Sequence, residues 1–121
     1  MRYYYVAQVN KAKVVKVATN KTSLGLNDCY KAIGCDWVEM VGCKAGKKSY
    51  TIVLDEEGKL TGQALNPVAS RLYHNTYDCI VGKAVIVKTN ARGTFTEKQA
   101  AEFDKYLRES IMSIEIVEEV E

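Results

Sequence analysis

Histidine and proline are scarce in this chain, which contains one of each, His74 and Pro67, among 121 residues. The four cysteines show no C-x-x-C spacing; they are Cys29, Cys35, Cys43 and Cys79. Tetrahedral zinc sites usually draw on closely spaced Cys and His ligands, so the sequence predicts no metal site. We expect the cysteines to be reduced core residues, and we expect no cofactor.

Long apolar runs are also missing, and no stretch approaches the length needed to cross a bilayer. The start of the chain does not resemble a signal peptide, because Met1-Arg2 is followed by tyrosines rather than by an apolar run. These absences predict a cytoplasmic protein that has no membrane partner.

The net charge is small, +2 at pH 7, and on its own makes nucleic acid an unlikely partner. The charges are unevenly spread, since residues 1–22 contain Lys and Arg but no acid, whereas residues 115–121 contain Glu but no base. Charged segments of this kind lie on solvated faces or form ion pairs with neighbouring residues, and a functional basic patch is the alternative.

Recognisable catalytic patterns are absent as well. His74 is not accompanied by a Ser or Cys nucleophile motif, and the acids Asp55, Glu56 and Glu57 fall in a predicted exposed turn. The sequence contains no glycine-rich phosphate loop, dinucleotide fingerprint or nucleophile elbow. We therefore expect a protein that is not an enzyme.

The residue patterns in the first half predict mainly strands. Alternating apolar residues predict strands over 3–9 and 12–18, and helical spacing predicts a short helix over 24–33 that ends at Gly34. Further strands are predicted over 37–41 and 50–54, joined by a lysine-rich loop over 42–49. The turn that follows contains Gly58, which suits a positive φ.

The second half contains the clearest helix signals. Asn66-Pro67 predicts the start of a short helix that continues to about Tyr73, and the apolar run 80–87 predicts a central strand. Thr96 and Gln99 fit a capping box for a helix over 97–110. The residue pattern after this helix, at the C-terminal end of the sequence, predicts an edge strand. The chain is thus expected to form one α+β domain, residues 1–121, with a mixed or antiparallel sheet and the longer C-terminal helix packed on one face.

Four segments in this order resemble a known family. Residues 30–41 (YKAIGCDWVEMV) combine a helix end, a glycine turn and a strand, and residues 56–60 are EEGKL. They are followed by LNPVA at 65–69 and DCIVGKAVIV at 78–87. The pattern, which covers about half the chain, is similar to that of small domains of unknown function carried by phages and mobile elements. Two departures are Pro67, where the family has Arg, and Cys35, where it has a second Gly; a ligand-binding role of that Arg would move to Arg71.

The ligand site predicted from the sequence consists of Arg71, Tyr73, Tyr77 and Arg92. Two guanidinium groups and two aromatic rings near predicted loops suit a ligand that contains phosphate and a base. The alternative is that the tyrosines pack on the sheet and the arginines are solvated.

The residue patterns, together with what the resemblance implies, leave three functions open. The first is a non-catalytic phage or prophage accessory protein in the host cytoplasm, which binds a small nucleotide-like ligand or signal, or a host protein, and counters host defence. The second is a homo-oligomeric assembly module, in which the exposed tyrosine strand that contains Tyr3, Tyr4 and Tyr5 and the acidic tail strand pair between subunits. A small hydrolase is a third alternative.

Overall fold

The computed structural model describes residues 1–73 and 78–121 and contains one six-stranded sheet with three helices. The elements are β1 (Arg2–Ala7), β2 (Lys13–Thr19), α1 (Leu26–Ile33), β3 (Val38–Ala45), β4 (Lys48–Asp55), α2 (Pro67–Tyr73), β5 (Ala84–Val87), α3 (Glu97–Ser110) and β6 (Glu115–Val120). The strand order is β3-β4-β5-β1-β2-β6. Only the β2–β6 pair of this sheet is parallel, so the predicted α+β domain with a mixed sheet is confirmed.

Alternation along β1 directs its side chains into two separate clusters. Tyr5 is fully buried in the cluster that α2 and α3 cover, which we call the α2/α3 face. Tyr4 is 8% exposed and packs into the cluster that α1 covers, the α1 face. Because β1 also pairs with β5 on one side and β2 on the other, its backbone amides and carbonyls form hydrogen bonds within the chain.

The two strands named in the assembly alternative occupy different places in the sheet. The tyrosine strand is an interior strand of the sheet, and it is not available to a second subunit. The acidic tail strand was correctly predicted as an edge strand, but it pairs with β2 of its own chain, from Lys13 opposite Glu115 to Ala18 opposite Val120.

The helix ends follow the local signals in the sequence. Thr96 Oγ1 accepts a hydrogen bond from the Gln99 amide at 3.2 Å, and Gln99 Oε1 accepts one from the Thr96 amide at 2.9 Å. This reciprocal pair fixes the start of α3 as predicted. Helix α1 ends at Gly34, whose φ of 79° lies in the left-handed region where a residue without Cβ is favoured. Among the described residues, no helix is long and apolar enough to cross a bilayer.

Asn66 anchors α2 to the sheet. Its Oδ1 accepts a hydrogen bond from the Ala69 amide at 3.0 Å, which confirms the predicted cap. Its Nδ2 donates to the carbonyl oxygens of Ala7 at 3.0 Å and Gly82 at 2.9 Å. Because the Asn66 side chain is fully buried, these bonds satisfy groups that water does not reach.

The predicted loop over 42–49 is mostly strand. β3 continues to Ala45 and β4 begins at Lys48, so that Gly46 and Lys47 alone form the turn. Gly46 has a φ of 66°, as two-residue hairpin turns require. The lysines favoured a loop in the sequence, but Cys43 and Ala45 are buried at every second position, as in a strand.

The predicted strand over 80–87 is shorter than expected. Only Ala84–Val87 belongs to the sheet, because Gly82 adopts a φ of 79° and interrupts the extended backbone. Val81 instead forms an isolated bridge with Leu65. The strand is nevertheless interior, as predicted, since β5 lies between β4 and β1.

The turn after β4 also differs from expectation. Gly58 does not have a positive φ; a Cβ there would lie 3.1 Å from Val81 Cγ2, a tight contact that a small shift of Val81 would have to relieve. Asp55, predicted to be exposed, is 9% exposed. Its carboxylate accepts hydrogen bonds from the Glu57 amide at 2.9 Å and from Gln63 Nε2 at 2.5 Å, so it holds the turn together.

Four aromatic rings form the centre of the α2/α3 face. Phe103 of α3 lies 4.8 Å from Tyr5, 4.7 Å from Tyr50 and 5.2 Å from Phe95, measured between ring centroids. Such contacts add about 0.5–1.5 kcal/mol per pair to the free energy gained by burial. The cluster therefore attaches α3 to β1 and β4.

Replacement of Phe103 by Ala should lower the free energy of unfolding by about 3–5 kcal/mol, because it removes a fully buried ring from this cluster. Urea denaturation followed by circular dichroism measures the change. A loss below about 1 kcal/mol would mean that α3 does not face the core.

Candidate functional site

A groove lies where the β3–β4 hairpin meets the ends of α2 and α3. Its volume is about 560 Å³, and its lining residues are Gly42, Cys43, Lys44, Gly46, Ser49, Tyr50, Tyr73 and Tyr106. We call it the tyrosine groove, after Tyr50, Tyr73 and Tyr106. Clefts of this size accommodate small organic ligands.

The three tyrosines are held to different degrees. Tyr50 is 4% exposed, and its ring stacks on Phe95 at a centroid distance of 5.5 Å. Tyr73, the last residue of α2, and Tyr106 of α3 are half-buried and pack against the edge of the same core. The groove thus has a rigid aromatic floor and two partly exposed aromatic walls.

Lysines surround the hairpin end of the groove. Lys44 belongs to its lining and is exposed, but alternation along β3 directs its side chain to the face opposite Cys43 and Ala45. Lys88 Nζ lies 5.0 Å from the centre of the Tyr50 ring and donates a hydrogen bond to the Ser49 carbonyl at 3.1 Å. Lys48 pairs with Glu102 of α3. The local charge is therefore mainly positive, which favours an anionic ligand.

Of the three predicted site residues that the structure describes, one lies in this groove. Tyr73 lines it, whereas Arg71 is exposed on α2. Residues two apart on a helix point to different sides, so Arg71 does not accompany Tyr73. Tyr77 and His74 lie outside the described residues.

Arg92 belongs to the opposite side of the sheet. Its Nε donates a hydrogen bond to the Leu24 carbonyl at 2.9 Å, and the Leu24 amide donates to the Arg92 carbonyl at the same distance. Leu24 packs into the cluster on the α1 face. Arg92 therefore joins the loop before α3 to the segment before α1, and the structure does not bring it together with Tyr73.

Tyr50, Tyr106, Lys44 and Lys88 were not predicted as site residues. Tyr50 begins a predicted strand and Tyr106 flanks the apolar stripe of the last helix, so both were assigned to packing. The available signal was the concentration of lysines in the hairpin, but only the folded chain places them beside three tyrosines.

A second polar cluster lies on the α2/α3 face, at the other end of the aromatic core. The Tyr5 hydroxyl donates to Asp104 Oδ1 at 2.6 Å, and Lys16 Nζ donates to Asp104 Oδ2 at 2.7 Å. Burial, together with the hydrogen bond to Asp104, raises the pKa of Tyr5 well above its usual value. These groups satisfy one another, and we assign the cluster to stability.

The thiols differ in exposure. Cys29 and Cys43 are buried, and burial raises the pKa of each to about 11. Cys35 is half-buried with its pKa raised by burial, whereas Cys79 is exposed. Cys43 in the groove is consequently protonated at neutral pH and is a weak nucleophile. Within the described residues, no three metal-ligating side chains of the Cys, His, Asp or Glu type lie together.

A disulfide reagent at pH 8 should therefore react rapidly with Cys79, slowly with Cys35, and with Cys29 and Cys43 only after denaturation, because exposure and thiolate fraction set the rate. Absorbance of the released thiol measures the phases. The Cys79→Ser variant should lose the fast phase, and survival of that phase at full amplitude would contradict the assignment.

Comparison with known proteins places the chain in a family. No curated protein and no solved structure shows significant similarity to it. The family described as "Domain of unknown function (DUF3846)" matches residues 1–109, which include β1 to β5, α1, α2 and nearly all of α3. The matched span contains every residue that lines the tyrosine groove. The chain therefore belongs to the DUF3846 family of domains of unknown function.

Proposed function

We propose that the protein binds a small nucleotide-like ligand in the tyrosine groove and does not chemically transform it. The observation that supports this most is the meeting of three tyrosines and exposed lysine around one open groove of about 560 Å³. A base needs a flat apolar surface and a phosphate needs cations, and this groove offers both.

The tyrosines provide the surface for the base. A base stacked on an aromatic side chain gains about 1–3 kcal/mol, and the gain does not depend strongly on the identity of the base. Tyr73 and Tyr106 are half-buried, so their rings are fixed by packing yet still partly open to the groove. Because these walls are already ordered, the protein would lose little conformational entropy when a ligand stacks between them.

The lysines provide the charge for the phosphate. Lys88 is held at the hairpin end of the groove by the Ser49 carbonyl and the Tyr50 ring, and Lys48 follows the turn on the same face. Lysine binds phosphate as a point charge, without the two-point geometry of arginine. This arrangement replaces the role that the sequence assigned to Arg71 and Arg92.

A binding role without catalysis fits the side chains in the groove. The Cys43 thiol, with its pKa raised to about 11 by burial, is protonated at neutral pH, and burial also raises the pKa of Tyr50. Neither group is activated as a nucleophile or base. Together with the resemblance to phage-carried domains, this supports an accessory protein that sequesters a host signal, in the cytoplasm of the host, and thereby counters host defence.

Isothermal titration calorimetry with AMP, ATP, cyclic AMP, adenosine and inorganic phosphate tests the proposal. We expect nucleotides to bind more tightly than adenosine or phosphate alone, because both halves of the ligand are recognised. Tyr106→Ala should weaken nucleotide binding about 5- to 150-fold, which corresponds to the loss of one stacking surface.

Matched variants separate stacking from general damage. Tyr106→Phe keeps the ring and should bind like the wild type, as should Tyr30→Ala, which alters a half-buried tyrosine of α1 on the opposite face. Lys88→Gln should weaken binding of AMP more than that of adenosine. No binding by the wild type at millimolar nucleotide, or equal binding by Tyr106→Ala, would contradict the proposal.

A further inference from the structure

The two edges of the sheet differ in how they are protected. β6 forms one edge, and glutamates occupy three of its six positions: Glu115, Glu118 and Glu119. Two such strands side by side would bring like charges together in any register. Charged edge strands are a common means of preventing association of sheets.

β3 forms the other edge and lacks this protection. It has eight residues and contains neither proline nor a run of charge. It pairs with β4 in unbroken register, from Val38 opposite Asp55 to Ala45 opposite Lys48, so no bulge bends it away. Among the described residues, no strand pairs with its outer side.

Apolar side chains are exposed along this edge. Met40 is 44% exposed, and Trp37, immediately before the strand, is 62% exposed. Val38 and Val41 are half-buried. Tryptophan and methionine are enriched at protein interfaces, where a large side chain inserts against the partner.

The charges of this segment are arranged in opposite halves. Asp36 and Glu39 lie at its start, whereas Lys44 and Lys47 lie at its end. An antiparallel pair of two identical strands places the start of each beside the end of the other. Such a pair therefore brings acids near lysines at both ends, whereas a parallel pair would bring like charges together.

We propose that two copies of this chain associate through antiparallel pairing of their β3 strands about a two-fold axis, which joins the two sheets into one continuous sheet. Exposed backbone groups of β3 then bond to the second copy, and Met40 and Trp37 pack across the junction. Gly42, Cys43 and Lys44 belong to both β3 and the tyrosine groove, so each groove lies beside the junction. The association does not require a bound ligand.

The contact is small. Pairing along eight residues of each copy buries less surface than the roughly 1,200–2,000 Å² of stable complexes, so a dissociation constant in the micromolar range is expected. Sedimentation equilibrium from about 5 to 500 µM covers that range. The wild type should show a reversible monomer–dimer equilibrium, and a wild type that remains monomeric throughout would overturn the proposal.

Substitutions on the two edges locate the contact. Met40→Lys should weaken the dimer at least about tenfold, because it adds an unpaired charge to the junction. Val120→Lys is the matched control, since Val120 is 80% exposed on the opposite edge, and it should dimerise like the wild type. Loss of the dimer with Val120→Lys but not with Met40→Lys would place the contact at β6 and overturn the proposal.

Charge reversal provides a readout that structural damage would not reproduce. Asp36→Lys combined with Glu39→Lys should weaken the dimer at low salt, because both ends of the strand become basic. Adding Lys44→Glu and Lys47→Glu restores opposite halves and should restore dimerisation, with folding of all variants checked by circular dichroism. Failure of the fourfold variant to recover, while folded, would contradict the antiparallel arrangement.

Discussion

The side-chain amide of Asn66 makes three hydrogen bonds in the core, and the positions of α2, the end of β1 and the turn before β5 all depend on it. Its oxygen caps the first turn of α2, while its nitrogen donates hydrogen bonds to the carbonyl oxygens of Ala7 and Gly82. The backbone adds a fourth link, since the Asn66 amide donates to the Ile80 carbonyl at 2.9 Å. An asparagine is suited to this place because one side chain supplies both an acceptor and two donors.

The position of α2 in turn determines the tyrosine groove. α2 is only seven residues long, too short to be stable by itself, so its orientation comes from the Asn66 bonds and from burial of Val68, Ala69 and Leu72. Tyr73 at its end forms one wall of the groove. The floor is set separately, by the packing of Tyr50 against the aromatic core. Groove walls built on packed elements are pre-organised, which would lower the cost of holding the proposed ligand.

Local signals were sufficient to predict the helices. Thr96 with Gln99, Asn66 with Pro67, and Gly34 each act within a few residues of chain, so α3, the start of α2 and the end of α1 were predicted correctly. The full length of the β3–β4 hairpin was not predicted, because its lysines favoured a loop where the alternation of a strand continues to Ala45. The positive φ predicted at Gly58 was wrong, and the close neighbour of this glycine is Val81, a residue distant in sequence.

The three predicted site residues that the structure describes are separated for a related reason. Arg71 and Tyr73 are close in sequence but point to different sides of α2, and Arg92 is used to hold Leu24 on the other face. Tyr50 and Tyr106 are 56 positions apart and meet only because β4 and α3 pack on the same core. Composition indicated aromatic and basic groups, but sequence proximity does not report which face each side chain occupies.

The free energy of unfolding of Asn66→Asp, obtained by urea denaturation, tests most directly whether this one amide organises the fold. Aspartate keeps the shape and the capping oxygen but removes both donors, so the buried carbonyls of Ala7 and Gly82 would face a carboxyl group. Unsatisfied buried groups cost about 1–3 kcal/mol each, and we predict a loss of about 3 kcal/mol or more. Asn90→Asp in an exposed loop should change stability by less than about 0.5 kcal/mol. A similarly small loss for Asn66→Asp would contradict the account.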